Sequence, residues 1–105
     1  MALYVVTYSH PDAEGWARHV MAHVDYLQAL LKQGVLRASG PFVGTPDRSA
    51  MLVMAADNQQ ALLEIISQDP FAIEGLIHDM TISEWDPIFG AFNADSSYAG
   101  RAPGG

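Results

Sequence analysis

The sequence predicts one α+β domain in which strands and helices alternate in the order β-α-β-β-α-β. Residues 15–34 have the periodicity of a long amphipathic helix. Four short segments rich in β-branched and aromatic residues have the composition of strands. Gly, Pro, Asp and Asn separate these segments where turns and helix caps are expected. These three observations together define the fold class.

Composition limits the possible functions. The chain has 105 residues, half of them hydrophobic, which is enough for one globular core. It carries a net charge of −7 with only five basic residues, so we expect no nucleic-acid partner. It has no cysteine, which excludes disulfides and thiolate nucleophiles. We find no apolar run long enough to span a membrane and no signal peptide, and we expect a cytoplasmic protein.

The first strand and the first helix are predicted from the N-terminal third. Ala2–Tyr8 is apolar on both faces and forms the first strand. Residues 9–12 then end it, and Asp12 is a suitable helix N-cap. The helix of residues 15–34 follows, with Gly34 as its terminating residue.

A hairpin is predicted next. Val35–Val43 forms its first strand, in which Gly40 and Pro41 indicate a bulge or a kinked edge. Residues 44–47 have turn chemistry, and Ser49–Ala56 forms the third strand.

The second helix and the fourth strand complete the order. Asp57 is expected to cap the helix, with Gln60 completing a capping box. The helix should stop near Gln68, because the residue before Pro70 is biased away from helical geometry. After a linker, or one helical turn, at residues 71–75, Leu76–Trp85 forms the last strand.

This order is the ferredoxin-like arrangement, with two helices on one face of a four-stranded antiparallel sheet. Strands one and three carry apolar residues on both faces, and two helices cover only one face. We therefore expect a homodimer packed sheet to sheet, with a pocket between the two sheets. The domain is predicted to span residues 1–89. Residues 90–105 are expected to form a flexible tail that Phe92 and Tyr98 anchor on another surface.

His23 is the polar exception in the apolar stripe of the long helix. Because an unpaired buried imidazole costs free energy, His23 must have a partner. It is either a satisfied core histidine or a catalytic base that projects into a pocket. Asp69 is the candidate partner, and would orient His23 for general base catalysis. Asp69 alone is equally well explained as the start of an Asx-Pro turn.

The remaining histidines carry weaker signals. His19 and His23 have the i, i+4 spacing of two metal ligands, but no glutamate lies between them as in a zinc-protease helix. We therefore predict no metal site, and no cofactor, because no phosphate-binding loop is present. His10 and His78 either line a pocket mouth or are surface or packing residues, and we favour the second interpretation for each.

The chain resembles the YCII-related (YciI-like) domains of the dimeric α+β barrel superfamily over roughly residues 2–88. The matching segments are LYVVTY, His23–Leu27, Gly34–Leu36, Gly40–Pro41, Asp69–Phe71 and Trp85. The resemblance implies a two-fold dimer whose sheets form a barrel, and a pocket containing a histidine–aspartate pair. That pair corresponds here to His23 and Asp69.

The resemblance also guides the expected ligand contacts. We expect the substrate to contact Tyr8, Gly40, Pro41 and Phe71. Many members carry an arginine three residues before the histidine, where this chain has Val20. An anionic group would therefore lack the usual arginine.

Three functions are consistent with these features, the third being that of a structural dimerisation unit with a vestigial pocket. The first is a cofactor-independent lyase or isomerase that uses a His–Asp dyad on a small hydroxylated or aromatic compound. The second is a non-catalytic small-molecule-binding or accessory dimeric domain. Fold alone does not decide between them.

Overall fold

The computed structural model describes residues 1–98 and has the predicted element order. The strands are β1 (Ala2–His10), β2 (Leu36–Pro41), β3 (Arg48–Ala56) and β4 (His78–Trp85). The helices are α1 (Ala13–Lys32), α2 (Gln59–Ser67) and the single turn α3 (Pro70–Ile73). The antiparallel sheet has the order β2-β3-β1-β4, which confirms the ferredoxin-like α+β prediction. No helix of residues 1–98 is long and apolar enough to cross a membrane.

An N-cap and a left-handed glycine fix the two ends of α1. The Asp12 side chain accepts a hydrogen bond from the amide of Gly15 at 3.0 Å, as an N-cap does. At the other end Gly34 has φ +76°, a conformation that favours glycine. The amides of Gly34 and Val35 donate to the carbonyls of Leu31 and Leu30, which closes the helix with a Schellman motif.

Three predicted details differ in the structure. The cap of α2 is Asn58 and not Asp57, because Asn58 Oδ1 accepts from the amide of Ala61 at 2.8 Å. The capping box that we expected with Gln60 is therefore absent. β1 also continues past the predicted end at Tyr8, because Ser9 and His10 still pair with β3.

The main core lies between the sheet and the helices. Alternate residues of β1 point to the helices and pack there with residues of β3, α1 and α2. Its buried members include Tyr4, Val6, Leu52, Met54, Leu30 and Leu62. Both long helices thus cover one face of the sheet. The side chain of His10, the last of the alternating β1 residues, lies on this same face.

The opposite face of the sheet is partly covered by the chain itself. Phe92 packs on the buried cluster of Leu3, Val53 and Ala55, and its ring lies edge-on to Trp85 at 6.0 Å. Phe92 is followed by a 3₁₀ turn, Asn93–Asp95. The part of the predicted tail that follows residue 98 lies outside the described residues.

Gly15 is a stability determinant, although in the sequence it only weakens the helix pattern. A Cβ at this buried position would lie 2.5 Å from Leu76 Cδ2 and 2.6 Å from Asp12 Oδ2. Alanine has a helix propensity about 1 kcal/mol better than that of glycine. At this position, however, its Cβ would disturb the Asp12 cap and overpack the core, and overpacking alone costs about 1–3 kcal/mol. We expect Gly15→Ala to destabilise the fold by about 1–2 kcal/mol once the gain is offset.

Urea unfolding measures this loss. Gly40→Ala is the matched control, because a Cβ at Gly40 meets nothing within 4 Å. Equal stability of Gly15→Ala and Gly40→Ala would contradict the close packing assigned to Gly15.

Candidate active site

A cavity of about 660 Å³ lies between α1 and the β2–β3 side of the sheet. Its walls come from α1, the end of β1, the β2–β3 hairpin and α3. His23 lines this cavity, on the helix-covered face of a single chain. The cavity thus lies on the helix-covered face of the sheet, whereas the pocket that we expected between the sheets of two chains would lie on the opposite face.

His23 is buried and paired with Asp69. Its position in the apolar stripe of α1 turns the ring towards the sheet, where 9% of the residue remains exposed. Nδ1 of His23 lies 2.9 Å from Oδ1 and 2.8 Å from Oδ2 of Asp69. This contact has the length predicted for a base and its orienting carboxylate.

Asp69 is fixed by the start of α3. The residue is 4% exposed, and its Oδ1 also accepts a hydrogen bond from the amide of Phe71 at 2.9 Å, which makes Asp69 the N-cap of α3. Pro70 occupies the first helical position, where its missing N–H costs nothing. The Asx-Pro turn and the pairing with His23 are thus two roles of one carboxylate.

The carboxylate determines which nitrogen of His23 is free. A carboxylate only accepts, so Nδ1 must donate, and the neutral ring then carries its lone pair on Nε2. Nε2 has no hydrogen-bond partner among residues 1–98, yet no buried side-chain nitrogen or oxygen of that part of the chain is unpaired. Nε2 is therefore accessible, and it can accept a proton in the cavity.

Phe71 and His10 continue the wall beside His23. The Phe71 ring stacks on the His23 ring at 4.0 Å and contacts the His10 ring at 4.6 Å. Nδ1 of His10 donates to the carbonyl of Leu76 at 2.7 Å, and the residue is 4% exposed. Burial lowers the pKa of His10, and the neighbouring His23 acts in the same direction.

His10 lines the cavity, which is the less favoured of the two roles that the sequence left open for it. It is also buried, with Nδ1 already satisfied, so it is not a surface residue. The alternation of Tyr4, Val6 and Tyr8 would have placed His10 on the same face, had β1 been extended by two residues.

Tyr8 supplies a neutral phenol. It lines the cavity, and its ring lies 4.9 Å from that of His10. Burial, with a smaller contribution from the Asp69 carboxylate, raises the pKa of Tyr8 far above its usual value. The hydroxyl has no hydrogen-bond partner among the described side chains and backbone, and it is available as a donor.

The other predicted residues are divided between the cavity and the surface. Gly40 and Pro41 line the cavity, on the wall formed by β2. Val20 also lines it, so the position at which the family resemblance implies an arginine presents an apolar side chain here. His19 instead faces Glu74, and its Nε2 lies 3.7 Å from Oε1 of that residue. His78 is exposed.

Arg48 is a site residue that sequence reasoning missed. It begins β3, lines the cavity, and holds its guanidinium carbon 3.9 Å from the centroid of the Trp16 ring. Cation–π contacts have this geometry. Residues 16 and 48 belong to different elements, so no local motif indicates their contact.

The arrangement provides a proton acceptor, its orienting carboxylate and a neutral donor around one cavity with aromatic walls. The His23 ring lies against the Asp69 carboxylate and the Phe71 ring, and Tyr8 belongs to the wall of the same cavity. Such a set can move a proton on a small bound molecule.

Comparisons with known proteins place this geometry in context. A search of curated proteins finds no match. The 5-chloro-2-hydroxyhydroquinone dehydrochlorinase of Burkholderia phenoliruptrix, solved with 2,5-dihydroxybenzoquinone, is similar in structure with TM-score 0.68 and 19% identity, over 80% of this chain and 93% of that one. Muconolactone isomerase is similar with TM-score 0.62 and 16% identity, over 80% and 88%. At these identities the likeness shows a shared fold.

The sequence itself matches one family model. The match covers residues 1–86, which include every element from β1 to β4 together with His23 and Asp69. The predicted resemblance is confirmed. The chain belongs to the family of YCII-related domains.

Proposed function

We propose that the protein is a cofactor-independent enzyme that performs lyase- or isomerase-type acid–base chemistry on a small hydroxylated or aromatic compound. One observation carries this proposal. Both oxygens of Asp69 lie within 2.9 Å of His23 Nδ1, and Nε2 is left open to a cavity of about 660 Å³. A histidine that only filled the core would not need an accessible nitrogen beside a cavity large enough for a small organic molecule.

The proposed chemistry follows from the roles of the side chains. Nε2 of His23 removes a proton from a hydroxyl or an activated C–H of the substrate, and Asp69 stabilises the imidazolium that forms. The neutral Tyr8 hydroxyl donates to the oxygen on which negative charge develops. The electron pair then either expels a leaving group or moves along the substrate, where His23 returns the proton at another atom.

The structural neighbours agree with this class of reaction. The names of two of them describe a dehydrochlorination and an isomerisation of small molecules. The aromatic rings of Phe71 and Trp16 in the cavity walls suit a flat substrate.

A turnover screen tests the proposal. Hydroxylated and chlorinated aromatic compounds and unsaturated lactones are incubated with the unmodified protein, His23→Gln and the exposed-site control His78→Gln, and products are followed by chromatography. We expect turnover of at least one compound, a loss of about 10²–10⁴-fold in His23→Gln, and no loss in the control. Tight binding without turnover in any variant would instead support the non-catalytic binding domain.

We also propose that the protein acts as a homodimer, with residues 1–89 as the functional domain and residues 90–105 as an arm. The proposal rests on the part of the outer sheet face that Phe92 leaves uncovered, where Val5 is partly exposed and Met51 is 40% exposed. Packing against a second copy would remove this apolar surface from water. Light scattering should give a dimer that Met51→Asp weakens and Met21→Asp, on the opposite side of the molecule, does not. A well-folded monomer at micromolar concentration would contradict it.

A further inference from the structure

The wall of the cavity contains the permanently charged side chain of Arg48. The chain contains five Lys and Arg residues against twelve Asp and Glu. Residues 1–98 contain four of these five basic residues, and Arg48 alone of the four lines the cavity. A molecule with few cations and a net charge of −7 therefore places one of them beside its candidate active site.

The position of Arg48 is fixed from both its backbone and its side chain. The backbone pairs with His10 in the β1–β3 register, which sets Arg48 across from another residue that lines the cavity. The guanidinium lies over the Trp16 ring at 3.9 Å. This contact holds the guanidinium beside the indole, and the N–H donors of a guanidinium lie in its own plane, at its edge.

The charge of Arg48 has no ion-pair partner among residues 1–98. No carboxylate of residues 1–98 lies within 4.0 Å of its nitrogens, and none of its N–H groups donates a hydrogen bond to that part of the chain. By contrast, Arg37 is paired with Asp95 at 2.5 Å. Asp47 also lines the cavity mouth, but makes no ion pair with its neighbour Arg48. The donors of Arg48 are thus free for a ligand.

We propose that Arg48 binds a planar oxyanion on the ligand, so that the substrate is a small aromatic compound that carries a carboxylate or an ionised ring hydroxyl. The guanidinium edge presents parallel N–H donors that match a carboxylate in two bonds and a ring oxygen in one. The ring of such a ligand lies along the aromatic wall, and its other end reaches His23. The inference rests on the proposed use of this cavity as the ligand site, but not on turnover.

Calorimetry with three probes tests the proposal without any knowledge of the substrate. Benzoate provides a carboxylate, 4-nitrophenolate an ionised ring hydroxyl, and benzamide a neutral analogue of the same shape as benzoate. We expect the unmodified protein to bind at least one of the two anions more tightly than benzamide. The anion that binds identifies which of the two oxyanions the site recognises.

Substitutions locate the effect. Arg48→Gln should weaken binding of the preferred anion by about tenfold or more, since it removes one charge-assisted interaction, and should leave benzamide binding nearly unchanged. Arg18→Gln removes an exposed arginine of α1 with the same change in net charge, and should weaken neither. Arg48→Lys should recover part of the affinity for 4-nitrophenolate and less of that for benzoate, because lysine lacks the two-pronged edge.

The outcomes separate this proposal from the proposed function. Three results would overturn the role of Arg48. Arg48→Gln and Arg18→Gln could weaken anion binding equally, or Arg48→Gln could weaken benzamide binding as much as anion binding. The third result is that neither anion binds at millimolar concentration. His23→Gln should keep the preference for the anion over benzamide. Turnover without a preference for the anion would refute only the anion-binding role of Arg48. Anion binding without turnover would refute only the proposed enzymatic activity.

Discussion

Replacing Asp69 with asparagine should lower turnover by about 10²–10⁴-fold while the fold is retained. Oδ1 of Asp69 accepts from the amide of Phe71 and lies near His23 Nδ1, whereas Oδ2 contacts His23 alone. Asparagine keeps the oxygen that caps α3, and Asn caps a helix about as well as Asp. Its amide group then replaces Oδ2 and points a donor at Nδ1 of His23. The ring must move its proton to Nε2, and the nitrogen that faces the cavity is no longer a base.

This prediction has a readout that needs no substrate. Nitrogen-15 NMR of protein with labelled histidine distinguishes the two neutral tautomers of His23. We expect Nδ1–H in the unmodified protein and Nε2–H in Asp69→Asn. Asp57→Asn is the matched control, because Asp57 is exposed and does not cap α2. An unchanged tautomer together with unchanged turnover in Asp69→Asn would return His23 to the role of a core histidine.

The elements of the fold were largely predictable because their signals are local. The apolar stripe of α1, its cap at Asp12 and the terminating Gly34 are all encoded within one segment of the chain. The errors in the elements are also local. Asp57 and Asn58 are adjacent and both are good caps, and only the backbone geometry decides that Asn58 accepts the hydrogen bond.

The site was less predictable because its contacts join distant segments. The resemblance to a family pointed to the pairing of His23 with Asp69, which are 46 residues apart. No periodicity indicates that His10 donates to Leu76, 66 residues away, or that Arg48 lies over Trp16. The side of the sheet on which the cavity lies also depends on how α1 sits above β2 and β3. These features follow from tertiary packing, and a single sequence carries no local trace of them.

Replacing Phe71 with alanine is expected to be the most destabilising single change at the site. Phe71 is 1% exposed, and its ring fills the space between the rings of His23 and His10. Removing a buried phenylalanine ring typically costs about 3–5 kcal/mol, through lost burial and the cavity that remains. The loss here also removes the surface on which the His23 imidazole rests.

Urea unfolding of three variants separates the effect of volume from that of the aromatic ring. Phe71→Ala should lose about 3–5 kcal/mol and Phe71→Leu less, about 1–2 kcal/mol, because leucine refills most of the space. Phe89→Ala is the control, because Phe89 is 73% exposed and should change stability by less than about 0.5 kcal/mol. In Phe71→Leu the fold should survive without the stacked ring. Any fall in the turnover of that variant then measures how much the Phe71 ring contributes to positioning the His23 imidazole. A Phe71→Ala variant as stable as Phe89→Ala would show that Phe71 does not support the site in this way.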